Sequence, residues 1–166
     1  MTAKTSPRYW RWVRDVLILL AVFLAIQWWQ ARDMPRGEAP ALAGPDLDGR
    51  PMVLSAYRGS PVLVHFWATW CPVCRLENGS IASIAEDHAV ISVASTSGSA
   101  AEIRAFLKEN DLQMPVMMDE SGELAGQWNV QGVPATFVID SAGLIDYATM
   151  GYSSEIGLRL RLALAD

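Results

Sequence analysis

The sequence predicts an α/β domain in which a mixed sheet lies between helices, carried behind a single apolar N-terminal helix. Three observations carry that prediction. From residue 62 onward, short apolar runs of strand length alternate with segments of helical period; the last elements read as a hairpin followed by a helix; and one uncharged run, residues 16–31, stands apart from an otherwise acidic chain. Strands alternating with helices and closing on a hairpin and helix make an α/β sandwich with a mixed sheet. Residues 41–166, about 125 in all, are enough to bury a core unaided.

The N-terminal element comes first. Residues 1–36 carry six basic side chains against two acidic ones, a net of +4, whereas residues 37–166 carry seven basic against sixteen acidic, a net of −9. Between Asp15 and Arg32 the run from Val16 to Ala31 holds no charge, with Trp10 and Trp12 before it and Trp28 and Trp29 within its end. That is slightly short for a spanning helix, but the tryptophans supply interfacial belts and Arg14 can extend the span by snorkelling. A cleaved signal peptide should end in a small-x-small site, which Gln27-Trp28-Trp29-Gln30 does not provide. A surface helix should have a polar face, which Val16–Ile26 lacks. The expectation is a cytoplasmic N-terminus over residues 1–15, a transmembrane anchor at 16–31, a linker at 32–40 and a folded domain at 41–166. Basic residues before the span keep the N-terminus in the cytoplasm. The acidic domain is then expected across the membrane, which in a bacterium makes it periplasmic on a single-pass inner-membrane protein.

After the anchor, residues 33–51 contain Pro35, Pro40, Pro45 and Pro51 and read as an extended tether ending in turns. Asp48-Gly49 marks a turn before a short strand, Met52-Val53-Leu54. Val62–Ala68 is continuously apolar apart from His65 and reads as a buried strand. A helix follows from Cys74 to about His88, with Leu76, Ile81, Ile84 and Ala85 as its apolar face. Val90–Ala94 is a second strand, Ser99–Asn110 a helix capped by Ser99 ahead of Glu102, and Val116–Met118 a short strand. Gly122–Trp128 reads as a short helix, Phe137–Ile139 and Leu144–Tyr147 as a hairpin across Asp140-Ser141-Ala142-Gly143, and Ser154–Leu164 as the terminal helix. There is no internal repeat, phosphate loop or nucleic-acid motif, and no basic cluster beyond the anchor, so a nucleic-acid partner is not expected.

The chemistry centres on Cys71-Pro72-Val73-Cys74, which closes the strand and opens the helix and holds both cysteines of the chain. Residues three apart share one side of a helical turn. A thiolate at the helix start meets unsatisfied N–H groups and the positive end of the dipole, and Pro72 suits the first helical position because its missing N–H is no loss there. Cys71 is then the attacking thiolate in disulfide exchange. Cys74 resolves the mixed disulfide and leaves the pair oxidised. Half a zinc site has the same spacing, but with only His65 and His88 besides these cysteines the ligands for a structural zinc are missing. A staple closing so short a loop would constrain the unfolded chain little. The redox-active Cys71–Cys74 disulfide needs no further cofactor.

Phe66-Trp67-Ala68-Thr69-Trp70-Cys71-Pro72-Val73-Cys74-Arg75-Leu76-Glu77 resembles the active-site segment of membrane-anchored thioredoxin-like proteins of the bacterial envelope, the TlpA, ResA and DsbE group. Gly132-Val133-Pro134-Ala135-Thr136-Phe137-Val138-Ile139-Asp140 is similar to their second signature, and Gly59–Val64 fits their approach to the catalytic strand. Within that group, Cys-Pro-Val-Cys followed by Arg-Leu-Glu and Gly79-Ser80-Ile81 is most similar to the suppressor-of-copper-sensitivity D-type proteins. The resemblance implies a thioredoxin-like fold for the domain, with the N-terminal helix as its anchor. It also implies a cis bond before Pro134 that faces the cysteines and presents the backbone of Val133 to a substrate chain, with Trp70, Pro72 and Val73 as further substrate contacts.

Glu77 matches an acidic residue that this family keeps near the thiols, and it can relay the Cys74 proton if burial raises its pKa. The alternative is a solvated helix glutamate. His65 stands where thioredoxins have a buried aspartate and many envelope relatives an asparagine, and two readings stay open, a proton relay and a hydrogen-bonded core histidine. Gly79 replaces a helix-bending proline, so the bend is in question. Trp67 and Trp70 are expected to surround the pair, and Trp128 to lie in the core. The expected activity is a tethered thiol–disulfide oxidoreductase acting on protein thiols and disulfides. It is read as a reductant, because Val73 gives the Cys71 thiolate neither charge nor hydrogen bond, and it would be recharged by a membrane electron donor. Two other readings stand beside it: a Cu(I)-binding protein or metallochaperone that uses the same cysteines with Met114, Met117, Met118 and Met150, and a scaffold that only keeps the fold.

Overall fold

The structure, a computed structural model, describes residues 8–31 and 34–165, with side chains omitted for residue 8 and residues 23–31. It divides into two units, residues up to Asp33 and residues from Met34. The first is one unbroken helix, α1 (Arg8–Ala31), which begins eight residues ahead of the uncharged run and carries Arg11, Arg14 and Asp15 in its early turns. Among the described residues, no helix is long and apolar enough to cross a membrane. The second half of the expected 16–31 span lies outside the residues whose side chains are described.

The second unit is built on a six-stranded sheet in the order β1-β8-β7-β4-β5-β6: β1 (Gly37–Glu38), β4 (Val62–Trp67), β5 (Ala89–Ser95), β6 (Val116–Asp119), β7 (Ala135–Ile139) and β8 (Leu144–Met150). β4 runs parallel to β5 and β5 to β6, while β7 is antiparallel to β4 and β8 is antiparallel to β7. A separate two-stranded ribbon joins β2 (Ala43–Pro45) to β3 (Pro51–Val53). The tether reading of residues 33–51 is therefore corrected at two places. Gly37-Glu38 add an edge strand to β8, and Ala43–Pro45 pair with β3, because backbone groups laid along a sheet edge or a neighbouring strand gain hydrogen bonds that an extended tether leaves to water. Leu54, expected in a strand, opens a 3₁₀ turn, Leu54–Tyr57.

The helices are α2 (Pro72–Ala85), α3 (Ala100–Glu109), α4 (Glu123–Gln127) and α5 (Glu155–Leu164). Their ends follow from local chemistry. Ser99 and Glu102 close a reciprocal capping box, and Ser154 Oγ accepts from Gly157 N–H. The carboxylate of Asp119 accepts from Leu124 and Ala125 N–H and from Ser95 Oγ, tying α4 to the ends of β5 and β6.

Alternation along β4 sorts its side chains to two faces. Leu63 packs with Ile81 and Ile84 of α2 and Leu158 and Leu162 of α5, and Trp67 packs with Cys71, Cys74 and with Ile103 and Phe106 of α3. On the other face Phe66 meets Trp128 and Phe137 at ring separations of 5.7 and 5.9 Å. Trp128 is thus a core residue, and its Nε1–H donates to the Ala41 carbonyl at 3.4 Å, holding the segment before β2 against the domain. Arg159 of α5 closes on Asp87, Glu155 and the carbonyl of Ser83, so the terminal helix is bound to the end of α2.

Candidate active site

The two cysteines meet where β4 hands the chain to α2. Cys71 N–H donates to the Ala68 carbonyl, and Thr69 is clasped to Ser97 in the loop after β5. Cys71 is the residue that caps α2: its Sγ accepts from Cys74 N–H at 3.1 Å, and Pro72 opens the helix, which therefore starts two residues before the expected Cys74. The cysteines are joined as a disulfide with Cα atoms 5.3 Å apart. Cys71 is 4% exposed and Cys74 is wholly enclosed, so an incoming sulfur can reach only Cys71.

Pro134 follows a cis bond, and the carbonyl oxygen of Val133 lies 3.5 Å from Cys71 Sγ. The second signature of the sequence is brought onto the first. Around the pair, Trp70 is largely exposed with its Nε1–H on the Thr96 carbonyl, and Val73 is partly exposed. Pro72 is exposed at the helix start. Trp67 is fully buried beneath the pair.

Leu76 corrects the expected apolar face of α2. It is 75% exposed, whereas the buried side of the helix consists of Cys74, Glu77, Asn78, Ile81 and Ile84. Leu76 lies three residues from Val73, which puts both on one outer face with Trp70 before them. Sequence reasoning missed it because an apolar residue in a helical pattern was assigned inward. The visible signal was the spacing: Cys74 and Ile81 lie seven apart on one side, and Leu76 falls off that line.

Glu77 is fully enclosed, with neither carboxylate oxygen hydrogen-bonded. The backbone N–H of Ser153 faces it without closing a bond and offsets part of the desolvation, but burial dominates and pushes the carboxyl from 4.5 up to about 7. A group titrating near neutrality one turn from Cys74 is suited to take up and return a proton. His65 is also wholly buried; its Nδ1 lies 3.0 Å from Thr136 Oγ1. Burial lowers the imidazole to about 4, against a smaller opposing effect of the Asn78 side chain, so the ring is neutral across the neutral range. The buried Asn78 drew no notice in the sequence, and it lies beside both.

Of the four candidate methionines, Met114 and Met118 are partly buried against the cluster that holds Cys71 and Cys74, and the other two lie elsewhere. Met117 is buried in β6, two strands from β4, beneath Gly44; Met150 ends β8 beside Gly132. Among the described residues no group of three or more His, Cys, Asp or Glu side chains is placed to hold a metal ion.

The model of the AhpC/TSA family matches residues 35–148. A thioredoxin-like protein of Haemophilus influenzae is 37% identical over 123 residues, covering 73% of each chain. The thiol:disulfide interchange protein DsbE of Pseudomonas aeruginosa is 28% identical over 162 residues, covering 89% of this chain and 87% of its own. Among solved structures, a putative DsbE from Chlorobium tepidum superposes with a TM-score of 0.70 at 26% identity, over 80% of this chain and 99% of that one. The exposed lipoprotein thioredoxin Etrx1 of Streptococcus pneumoniae superposes with a TM-score of 0.67 at 26% identity, over 75% and 98%.

Proposed function

The chain belongs to the AhpC/TSA family and is a thiol–disulfide oxidoreductase of the DsbE/ResA type, and on that premise we propose that it is a membrane-tethered reductant of protein disulfides. One observation carries the proposal: an enclosed carboxyl, Glu77, titrating near pH 7 one helical turn from the enclosed Cys74, behind a Cys71 that alone is reachable.

The steps follow from that arrangement. The Cys71 thiolate attacks one sulfur of a substrate disulfide; the substrate S–S bond breaks, and the departing sulfur leaves with the electron pair. Cys74 then gives its proton to Glu77 and attacks Cys71 Sγ. The bond between Cys71 and the substrate breaks, the second substrate sulfur leaves, and the Cys71–Cys74 disulfide remains. Two electrons and two protons from a dithiol donor at the membrane restore the reduced pair. A carboxylate enclosed beside the sulfurs disfavours a standing thiolate, and Val73 adds no charge or donor, which together oppose the strongly oxidising behaviour of a stabilised thiolate. The exposed Trp70, Val73 and Leu76 supply an apolar surface for a polypeptide segment around its disulfide, beside the Val133 carbonyl.

The anchor belongs to the same proposal. The uncharged Val16–Ala31 run sits within one continuous helix of 24 residues, about 36 Å of rise, and the positive N-terminal flank orients the acidic domain to the periplasmic side. The D-type copper-sensitivity subgroup rests on the Cys-Pro-Val-Cys-Arg-Leu-Glu match, and copper tolerance would follow from disulfide repair under copper stress. Direct copper carriage is the weaker reading, because Met117 is occupied as core filling.

The test is the reduction potential of the Cys71–Cys74 pair in the full chain, equilibrated against glutathione and dithiothreitol buffers. A value near or below about −250 mV supports the reductant. One near −120 mV makes it an oxidant and overturns the direction.

A further inference from the structure

Behind Cys74 lie buried polar atoms that the steps above do not use. Asn78 is wholly enclosed and neither Oδ1 nor Nδ2 has a hydrogen-bond partner; His65 Nε2 is enclosed and unpartnered as well. Each such group costs roughly 1–3 kcal/mol, a cost that folded proteins rarely leave standing without a reason.

The register of the fold collects these atoms. Cys74, Asn78 and Ile81 recur at i, i+4 and i+7 along one side of α2. Leu63 and Trp67 of β4 face that side, Leu63 clustering with Ile81 and Trp67 with Cys74. His65, between them on the same face of the strand, is thereby set against Asn78. The Asn78 side chain acts on the ring in the sense that favours its protonated form, so the amide lies within reach of the imidazole.

The other ring nitrogen sets the direction of the hydrogen bonds. Thr136 pairs with His65 across the β4–β7 ladder, and the ring is the only side-chain partner of the enclosed Thr136 hydroxyl among the described residues. That hydroxyl proton is satisfied if it donates to Nδ1, which leaves the imidazole proton on Nε2. Nε2–H then finds its acceptor in Asn78 Oδ1. With the oxygen engaged there, the N–H₂ end of the amide is free for Cys74, one turn back along α2.

We propose that Thr136, His65 and Asn78 form a directional chain, Thr136 Oγ–H to His65 Nδ1 and His65 Nε2–H to Asn78 Oδ1, whose last donor, Asn78 Nδ2–H, stabilises Cys74 as the thiolate of the resolving step. This rests on the exchange reading above. The Cys74 proton goes to Glu77, the thiolate attacks Cys71 Sγ, the new S–S bond forms as the bond to the substrate breaks, and no proton passes along the chain. Asn78 is the group that would close on the Cys74 sulfur once it is a thiolate; His65 and Thr136 are positioning residues. Among the described residues, the titratable groups on the elements that pack at Cys74 are Cys71, Glu77 and His65, while the Arg75 guanidinium is turned away onto the Thr69 carbonyl.

Two measurements on the full chain in detergent micelles test it. The chain has two histidines, so imidazole ¹⁵N resonances are readily assigned, and His65 is expected as the Nε2–H tautomer between about pH 6 and 8. An Nδ1–H tautomer overturns the chain. The second measurement mixes the reduced protein with dithiobis(nitrobenzoate), which releases one thionitrobenzoate as Cys71 attacks and a second as Cys74 resolves. Asn78→Leu should slow the second phase about tenfold and move its pH midpoint upward, the loss of one hydrogen bond to a charged acceptor, while leaving the first phase within about twofold. His65→Leu should do the same, and the double variant should lose no more than either. An unchanged second-phase profile, or additive losses, overturns the proposal. The leaving group is a small molecule, so an intact profile beside failure to reduce proteins would sink the functional reading instead. If Asn78→Leu does not fold, the tautomer in the native chain still decides.

Discussion

The backbone N–H of Cys74 donates to Cys71 Sγ at 3.1 Å, so the turn that carries the resolving sulfur also holds the attacking one. Only Cys71 is reachable from outside. Cys74→Ala is therefore expected to accumulate partners as mixed disulfides on Cys71, visible on non-reducing gels, and Cys71→Ser to reduce turnover to background. Adducts on Cys74 in the Cys71→Ser chain would reverse the assignment of roles.

Glu77 sets a pH dependence whose sign is definite. Its pKa is raised from 4.5 to about 7, so between those values the folded state holds a proton that the unfolded state has lost, and stability falls as pH rises through that window. The full shift amounts to at most about 3 kcal/mol, present above pH 7. Glu77→Gln should flatten this arm and raise the unfolding midpoint at pH 8, while slowing the resolving step about a hundredfold and removing the inflection near pH 7 from its rate. A variant that loses stability at pH 8 would contradict the enclosed, unpaired carboxyl.

Arg159 draws Asp87 and Glu155 below their ordinary values through its hydrogen bonds to both. For depressed carboxyls the stabilisation is present above their unfolded values of 3.8 and 4.5 and is lost as pH falls through the lower folded ones. Arg159→Met should lower the thermal midpoint at pH 7 and lower it less at pH 2, where the hydrogen bond to the Ser83 carbonyl is what remains to be lost, with the pH 7 effect shrinking in high salt. An equal loss at both pH values would assign the role to packing alone.

Gly79 lies in the interior of α2, and a Cβ there would meet nothing within 4 Å. Gly79→Ala is expected to stabilise the fold by up to about 1 kcal/mol in urea unfolding, with thiol exchange unchanged. The bend left in question by the missing proline does not interrupt the helix, which runs from Pro72 to Ala85.

Leu76→Ser removes apolar surface beside the pair at a position that is 75% exposed. It should raise KM for an unfolded polypeptide carrying a single disulfide about threefold or more, with little effect on stability or on reaction with glutathione disulfide. An unchanged KM would remove Leu76 from the substrate surface.

Much of this was legible in the chain because it depends on near neighbours. The capping role of Ser99, the fit of Pro72 to a first helical turn and the strand–helix junction at Cys71 are matters of a few consecutive residues. The pairing of Gly37-Glu38 with Ile145 and Leu144 joins segments a hundred residues apart, and nothing in a glycine and a glutamate announces an edge strand. Leu76 differs from its apolar pattern for a related reason: apolar character says that a side chain can be buried, and only the sheet beneath the helix says which side is.

By itself, then, the sequence determined the alternation of strands and helices, the placing of two cysteines on the first turn of a helix, and the second signature at Val133-Pro134. The tertiary structure alone decided what the polar residues around those cysteines do. Glu77 titrates near neutrality, His65 stays neutral and Asn78 is wholly enclosed because α2, β4, β7 and the segment at Ser153 together exclude water from them. Exclusion of water is a property of the neighbours that surround a group, and those neighbours are distant in the chain.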